Sequence, residues 1–202
     1  MSNTLRSVDF VGIDYGSKLA GTTVCAHYQL DGAVQFYQSA RKSDADLFLE
    51  TLLLQLKAEH IFLDAPLSLP GVYTDPANYT DYFYRRGDRE LKAMSPMFLG
   101  GLTARAMRLA AVWRDQERRV YEVYPGAAAR RLGLKELNYK KTQGAIPDVA
   151  FKLERELPLA FDPRDLRSWH HVDALLALYS GWRFLREEHE FFGDAAEGGI
   201  VV

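Results

Sequence analysis

Three apolar segments near the start of the chain constrain the fold most strongly. Each is rich in β-branched or aromatic residues, as β-strands are, and they cover residues 8–14, 20–28 and 33–38. Short polar stretches separate them. The Asp31-Gly32 pair before the third segment is typical of a hairpin turn. The sequence therefore predicts three strands in succession, the last two joined as a hairpin.

A helix and a fourth strand follow. Residues 44–58 repeat leucine at helical spacing, and residues 60–66 form a short apolar run that ends at Pro66. The order is thus β-β-β-α-β. Further helices are predicted at 102–117, 126–133, 147–157 and 168–188, with a fifth strand at 119–124 and an apolar tail, "GIVV", that docks as a strand. We predict an α/β fold with a mixed five-stranded sheet, in the order β-β-β-α-β-α-β-α, flanked by helices.

Residues 66–100 interrupt this pattern. They are rich in Pro, Gly, Tyr and charged residues, and they predict a long irregular insertion with a short helix around 80–93. Loops of this length inside a compact domain usually have a function. We therefore predict a single domain over residues 1–202, with 66–100 as an insertion within it.

Composition excludes several classes of protein. The chain has 202 residues, of which 48% are hydrophobic and 26% charged, values typical of a globular fold. One cysteine, Cys25, allows no internal disulfide and no cysteine-based zinc finger. The first ten residues lack the pattern of a secretory signal, and no run is long enough to span a membrane. We expect a cytoplasmic protein with no membrane partner.

Charge is distributed unevenly along the chain. The net charge is −2, yet residues 85–141 contain 14 Lys or Arg against 6 Asp or Glu. Such asymmetry is typical of a basic patch that meets a polyanion. Scattered charges on solvated helices would give the same count, and the sequence leaves both interpretations open.

Acidic side chains occur at chemically unusual positions. Asp14 and Asp64 end apolar strands, Glu122 lies inside the strand "VYEVY", and Asp173 lies on the last helix with His170 three residues before it. Ligands gather at the carboxyl ends of strands in α/β sheets. If these acids converge, their repulsion requires either a raised pKa or a bound cation, and Mg²⁺ or Mn²⁺ prefers such oxygen ligands.

Each acid also has a structural interpretation. Asp14 suits a turn, Asp64 suits a cap for the next segment, and Glu122 suits an ion pair with a structural arginine. Asp173 on an exposed helix face is less plausible, because its neighbours are apolar. We favour a metal site because acids from separate strands enclose more space than two carboxylates that share one proton require.

Several motifs resemble known families. The β-β-β-α-β order, "GIDYGS" and "HHVDALLAL" resemble the ribonuclease H-like superfamily, and in particular its Holliday-junction resolvases. More narrowly, "FLDAPLSLP", "RRGDRELK", "YEVYPGAAARRLGL" and the closing "EGGIVV" resemble the domain-of-unknown-function family 429, whose members are regarded as predicted nucleases with that fold. The resemblance extends over nearly the whole chain.

The resemblance implies roles for the acidic residues. Asp14 matches the metal ligand on the first strand, Asp64 the acid of the fourth strand and Asp173 the acid of the last helix. His170 stands where resolvases have a further acid or histidine, and Glu122 matches the glutamate of the narrower family. One departure is Pro66, close behind Asp64, where resolvases continue differently.

These observations predict a nuclease that uses Mg²⁺ or Mn²⁺ to hydrolyse DNA or RNA. Asp14, Asp64, Glu122 and Asp173 are the expected metal ligands, and His170 is expected to orient water or to transfer a proton. Arginines of the insertion are expected to bind phosphate, or else to pair with Asp88 or Glu90. The expected nucleic-acid contacts are Arg85, Arg86, Arg89, Lys140 and Lys141.

Two other functions stay open. A non-catalytic nucleic-acid-binding or scaffold protein could retain a nuclease fold, and an actin-like phosphotransferase would share the Asp14-x-Gly16-Ser17 pattern. An actin-like phosphotransferase needs two such domains and a late glycine-rich loop. This sequence is long enough for one such domain and lacks the loop. The oligomeric state also stays open, with a homodimer among the options.

Overall fold

A seven-stranded sheet organises the part of the chain that the structure describes. The computed structural model describes residues 8–202 and has a mixed α/β architecture. The strands are Phe10–Asp14 (β1), Val24–Tyr28 (β2), Val34–Gln38 (β3), His60–Asp64 (β4), Arg119–Val123 (β5), Phe191–Asp194 (β6) and Gly198–Val201 (β7). From edge to edge their order is β3-β2-β1-β4-β5-β7-β6.

Strand directions divide the sheet into three parts. The first three strands form an antiparallel meander, β1 with β2 and β2 with β3. The central strands β1, β4, β5 and β7 run parallel to one another, and β6 returns antiparallel at the far edge. In the β1–β4 register Asp14 lies directly opposite Asp64. The carboxyl ends of the central strands therefore meet at one edge of the sheet.

Helices cover both faces of the sheet. Their bounds are Ala45–Leu56 (α1), Arg86–Leu91 (α2), Pro96–Leu99 (α3), Gly101–Asp115 (α4), Pro125–Arg131 (α5), Ile146–Glu156 (α6) and Trp169–Leu185 (α7). None of the helices within residues 8–202 has the length and apolar character that crossing a membrane requires.

Alternation along β1 separates two apolar cores. Phe10 belongs to the core under α6 and α7, whereas Val11 and Ile13 belong to the core under α1 and α4. Successive side chains of a strand point to opposite faces, so each face of β1 serves one layer of helices. Cys25 is fully buried and unpaired.

The structure corrects the number of strands. All five predicted strands are present, but the sheet has seven, because the tail supplies the hairpin β6–β7. The docking of "GIVV" is confirmed, since β7 pairs with the free edge of β5. The second strand begins at Val24 and not at residue 20. The prediction that the chain starts without a secretory signal falls mainly on residues 1–7, which lie outside the described residues.

The segment 66–100 packs on this C-terminal hairpin. It contains α2 and α3, so its predicted helix is shorter than expected and α3 was missed. Glu197, in the turn between β6 and β7, accepts hydrogen bonds from the backbone N–H groups of Gly71 at 2.7 Å and Arg86 at 2.9 Å. Two distant parts of the chain thus hold each other in place.

Helix α7 lies unusually close to β1. A Cβ atom built on Gly12 would come within 2.0 Å of the backbone nitrogen of Leu178 and within 2.6 Å of the carbonyl oxygen of Ala174. Only glycine allows this approach.

Replacing Gly12 with alanine is therefore expected to lower the free energy of unfolding by about 1–3 kcal/mol, the usual cost of overpacking a core. The added methyl group meets rigid backbone, so α7 must shift away from β1. Urea denaturation measures the change. Gly101→Ala is the matched control, since its new Cβ would meet nothing within 4 Å. Equal stability of the two variants would contradict the described helix–strand contact.

Candidate metal centre

Two carboxylates meet at the ends of β1 and β4. Asp14 and Asp64 are the last residues of these strands and stand opposite each other in the parallel register. Asp14 is buried and Asp64 is half-buried. Since Ile13 points into the core under α1 and α4, Asp14 points to the side of α7.

Helix α7 adds a third carboxylate. Asp173 lies in the second turn of this helix and is only 1% exposed. Asp14, Asp64 and Asp173 each offer an oxygen, and these three oxygens all lie within 4.8 Å of one another. Residues separated by up to 159 positions in sequence thus form one acidic cluster, and the expected convergence of these three is observed.

Crowding and burial disfavour the ionised forms of this cluster. Burial, followed by repulsion from Asp14 and Asp173, holds the pKa of Asp64 well above its ordinary value. Burial also raises the pKa of Asp173 to about 6, although Lys140 opposes the change. A divalent cation would offset the repulsion that contributes to these shifts.

Two consecutive residues partly compensate the charge of Asp173. Tyr139 donates a hydrogen bond from its hydroxyl to Oδ1, and the ammonium of Lys140 forms an ion pair with Oδ2. Lys140 has a φ of 59° and Asn138 a φ of 58°, a left-handed backbone that turns this loop toward the cluster. Burial lowers the pKa of Lys140, but the nearby carboxylates outweigh it and raise the pKa overall.

The sequence did not single out Tyr139. An aromatic residue in a polar linker has no local pattern that marks it. Lys140 was expected to contact nucleic acid, and the structure places it against the acidic cluster with about half of its side chain exposed.

His170 lies at the other side of the cluster. Its Nδ1 is 2.7 Å from Oδ2 of Asp14, and this hydrogen bond raises the pKa of the imidazole despite partial burial. The histidine, one turn before Asp173 on α7, thus contacts a different acid of the cluster. Its placement beside the acids agrees with the sequence prediction.

Asp64→Asn is expected to stabilise the metal-free protein measurably at neutral pH. Because the pKa of Asp64 is raised in the folded protein, ionising this carboxyl group at neutral pH is less favourable in the folded state than in the unfolded state. Its ionisation therefore lowers the free energy of unfolding. The gain should vanish at acidic pH, where the carboxyl is protonated in both states. Urea denaturation at neutral and acidic pH tests this, with the exposed Asp115→Asn as control. A destabilised variant at neutral pH would contradict the described repulsion.

Glu122 is not part of the acidic cluster, which corrects its assignment as a metal ligand. In the β4–β5 register it pairs with Leu63 and not with Asp64. Its neighbours Tyr121 and Val123 pack toward α7, so Glu122 points to the opposite face of the sheet. Its carboxylate oxygens accept hydrogen bonds from the Arg85 guanidinium at 2.6 and 2.7 Å. The structural interpretation of this glutamate, an ion pair with an arginine, is the one observed.

Arg85 is likewise misassigned as a phosphate contact. Its side chain is 0% exposed and is held by Glu122 and by Asp88, whose Oδ1 is 2.7 Å from Nη2. Burial alone would lower the pKa of Arg85, but these hydrogen bonds raise it overall. A guanidinium enclosed in this way has no surface to offer to a nucleic acid.

The other predicted phosphate contacts lie on the surface. Arg86 pairs with Glu90, and Arg89 pairs with Asp81 while its guanidinium lies 3.8 Å from the centre of the Tyr84 ring. Lys141 is exposed. Further basic residues of 85–141 are also paired, for example Arg105 with Asp46. Much of the excess positive charge is thus matched by acids from elsewhere in the chain.

Comparison with protein families supports one of the sequence resemblances. Residues 100–197 match the family described as Protein of unknown function (DUF429). These matched residues, called the DUF429 segment below, make up slightly less than half of the chain. The resemblance is thereby confirmed over these residues, although "FLDAPLSLP" and "RRGDRELK" lie before the matched segment. Comparison with curated proteins gives no significant match.

The DUF429 segment supplies only part of the acidic cluster. It includes Asp173, His170 and the loop with Tyr139 and Lys140. The other two acids come from β1 and β4, which precede the DUF429 segment in sequence. The cluster therefore depends on the first half of the chain as much as on the DUF429 segment.

Proposed function

We propose that the protein is a divalent-metal-dependent nuclease that hydrolyses phosphodiester bonds of DNA or RNA. One observation carries this proposal: carboxylates from β1, β4 and α7 place three oxygens within 4.8 Å of one another. Mg²⁺ and Mn²⁺ prefer carboxylate oxygens, so the donor set fits such an ion. The pKa values of Asp64 and Asp173 are raised by burial and by repulsion between the carboxylates, and a cation would offset this repulsion.

The arrangement of strands is compatible with this proposal. The antiparallel meander followed by parallel β4 and β5, in the order β3-β2-β1-β4-β5, is compatible with a ribonuclease H-like fold. The sequence resemblance to resolvases implies the same fold. We propose that β6 and β7 extend this core and that residues 66–100 are an insertion packed on the extension.

Asp14, Asp64 and Asp173 would hold the metal. When bound, a divalent ion polarises a phosphoryl oxygen and activates a water molecule for attack on phosphorus. Tyr139 orients Asp173 through its hydroxyl, which fixes one oxygen of this ligand. The Lys140 ammonium offsets one negative charge of the cluster, and its half-exposed side chain would attract a phosphate bound there.

His170 is the candidate proton carrier. Its Nδ1 is engaged by Asp14, so Nε2 is the nitrogen left to exchange a proton with the substrate. A histidine at this position could transfer a proton to the leaving oxygen. Asp14 would thereby both bind metal and set the orientation of the histidine.

Exposed cations would help to bind the nucleic acid. Arg86 and Arg89 form ion pairs that are more than half exposed on the arginine side, and such pairs are weak enough to exchange a carboxylate for a phosphate. Lys141 is exposed next to Lys140. We propose these residues, and not Arg85, as the contacts to the phosphate backbone.

Cleavage assays test the function directly. Labelled single-stranded, duplex and branched DNA and RNA are incubated with the protein and Mg²⁺ or Mn²⁺, and metal binding is measured separately by calorimetry. We expect metal-dependent cleavage of at least one substrate. Metal binding without cleavage of any substrate would contradict the nuclease and favour a non-catalytic binding protein. No metal binding would contradict the candidate metal centre itself.

A further inference from the structure

A cavity of about 340 Å³ opens beside the acidic cluster. It lies between the carboxyl ends of β4 and β5 and the segment that contains α3. Asp64 and Lys140 form part of its wall, so the cavity is continuous with the cluster at one end. Ligand pockets of proteins begin at about this volume.

The walls away from the cluster are mainly apolar. Met94, Leu99 and Leu102 contribute from the side of the insertion and α4, and Tyr124 and Ile200 from the side of the sheet. Methionine and tyrosine are well suited to contact a flat aromatic ring, because thioethers and rings interact favourably with π-systems. This part of the cavity therefore fits a planar, uncharged group.

The remaining polar groups do not attract an anion. Asp88 and Glu122 line the cavity, but both carboxylates are already bound by the buried guanidinium of Arg85. Because the Arg85 guanidinium is already hydrogen-bonded to these two carboxylates, it is not free to bind an anionic group placed there. The ammonium of Lys140 lies at the end next to the acidic cluster. The cavity thus has a neutral end and an ionic end.

We propose that this cavity binds the base of an unstacked nucleotide whose phosphate lies at the acidic cluster. A nucleotide matches the two ends of the cavity, because its flat, uncharged base suits the neutral end and its anionic phosphate suits the ionic end. This inference rests on the proposed nuclease function and narrows its substrate. A base inside a regular duplex is not accessible to such a cavity, so the substrate is a single strand or carries an unpaired nucleotide.

Binding of small ligands in the presence of Mn²⁺ tests the proposal. Calorimetry compares a nucleoside 5′-monophosphate with ribose 5-phosphate, which has no base. We expect the nucleotide to bind at least about tenfold more tightly, in line with the usual contribution of base stacking. Met94→Trp and Leu99→Trp narrow the cavity and should each remove this preference. Met97→Trp is the matched control, because Met97 belongs to the same helix as Leu99 but does not line the cavity.

The outcomes separate this inference from the proposed function. Equal binding of the two ligands, or a preference for the nucleotide that survives both cavity variants, would overturn the base site. If all variants bind Mn²⁺ equally and cleave single strands at the wild-type rate, the nuclease stands and the base site fails. A preference lost only in the two cavity variants, with Mn²⁺ binding unchanged, supports the base site even where no cleavage is observed.

Discussion

Asp14→Asn is expected to abolish both metal binding and cleavage. Asp14 contributes one of the three clustered carboxylates and also holds Nδ1 of His170 at 2.7 Å. Asparagine keeps the shape of the side chain but removes the negative charge that a cation requires. Removing a residue that only hydrogen-bonds to a metal ligand weakens metal affinity by about 10–100-fold. Removing a ligand itself should weaken the affinity by more than this. Calorimetry with Mn²⁺ and the cleavage assay measure the two effects.

Urea denaturation distinguishes loss of the metal site from loss of the folded structure. Asp14→Asn relieves repulsion within the cluster, so the metal-free variant should unfold at no lower urea concentration than the wild type. Asp115→Asn, on the exposed end of α4, provides the same chemical change away from the site. Wild-type Mn²⁺ affinity in Asp14→Asn would rule out the metal centre. Wild-type cleavage without metal binding would place the chemistry elsewhere.

Arg85→Met is expected to lower the free energy of unfolding by about 3–5 kcal/mol, the usual cost of removing one partner of a buried ion pair. Methionine retains much of the volume but leaves the carboxylates of Glu122 and Asp88 buried without their cation. Burial already raises the pKa of Glu122, and loss of the guanidinium removes the main opposing effect. The variant should therefore recover part of its stability as pH falls and the Glu122 carboxyl group takes up a proton.

Arg86→Met is the matched control for this prediction. Arg86 is the next residue, and its side chain is 66% exposed in a pair with Glu90. Exposed pairs contribute about 0–1 kcal/mol, so this variant should stay close to the wild type in urea denaturation. Equal stability of the two variants would contradict the buried network. Weaker nucleic-acid binding by Arg85→Met at unchanged stability would restore Arg85 as a phosphate contact.

Local patterns predicted the elements well because they depend on neighbours in sequence. The alternation in β1 and the helical spacing of leucines in α1 are set by which residues are buried along one strand or one helix. The acids Asp14, Asp64 and Asp173 were identifiable for the same reason, since a carboxylate in an apolar segment is costly without a compensating partner. The close approach of α7 to Gly12 was not predicted, because the sequence does not reveal which residues of a helix a strand will meet.

Glu122 and Arg85 show where sequence patterns stopped being informative. Glu122 satisfied the same local criteria as the three clustered acids, and Arg85 stood in a run of charges typical of an exposed segment. Their true roles depend on each other across 37 residues. A shift of one residue in strand register moves a side chain to the opposite face of the sheet. No local pattern contains that register.

The chain by itself determined the order of helices and strands and the acids whose burial needs a compensating partner. Only the tertiary structure decided which acids meet, because register, strand pairing and the approach of α7 to β1 depend on contacts between distant residues. It also decided that the tail widens the sheet and that Lys140 reaches Asp173. A side chain's local surroundings set whether it is buried, but its partners are chosen by the packing of the whole fold.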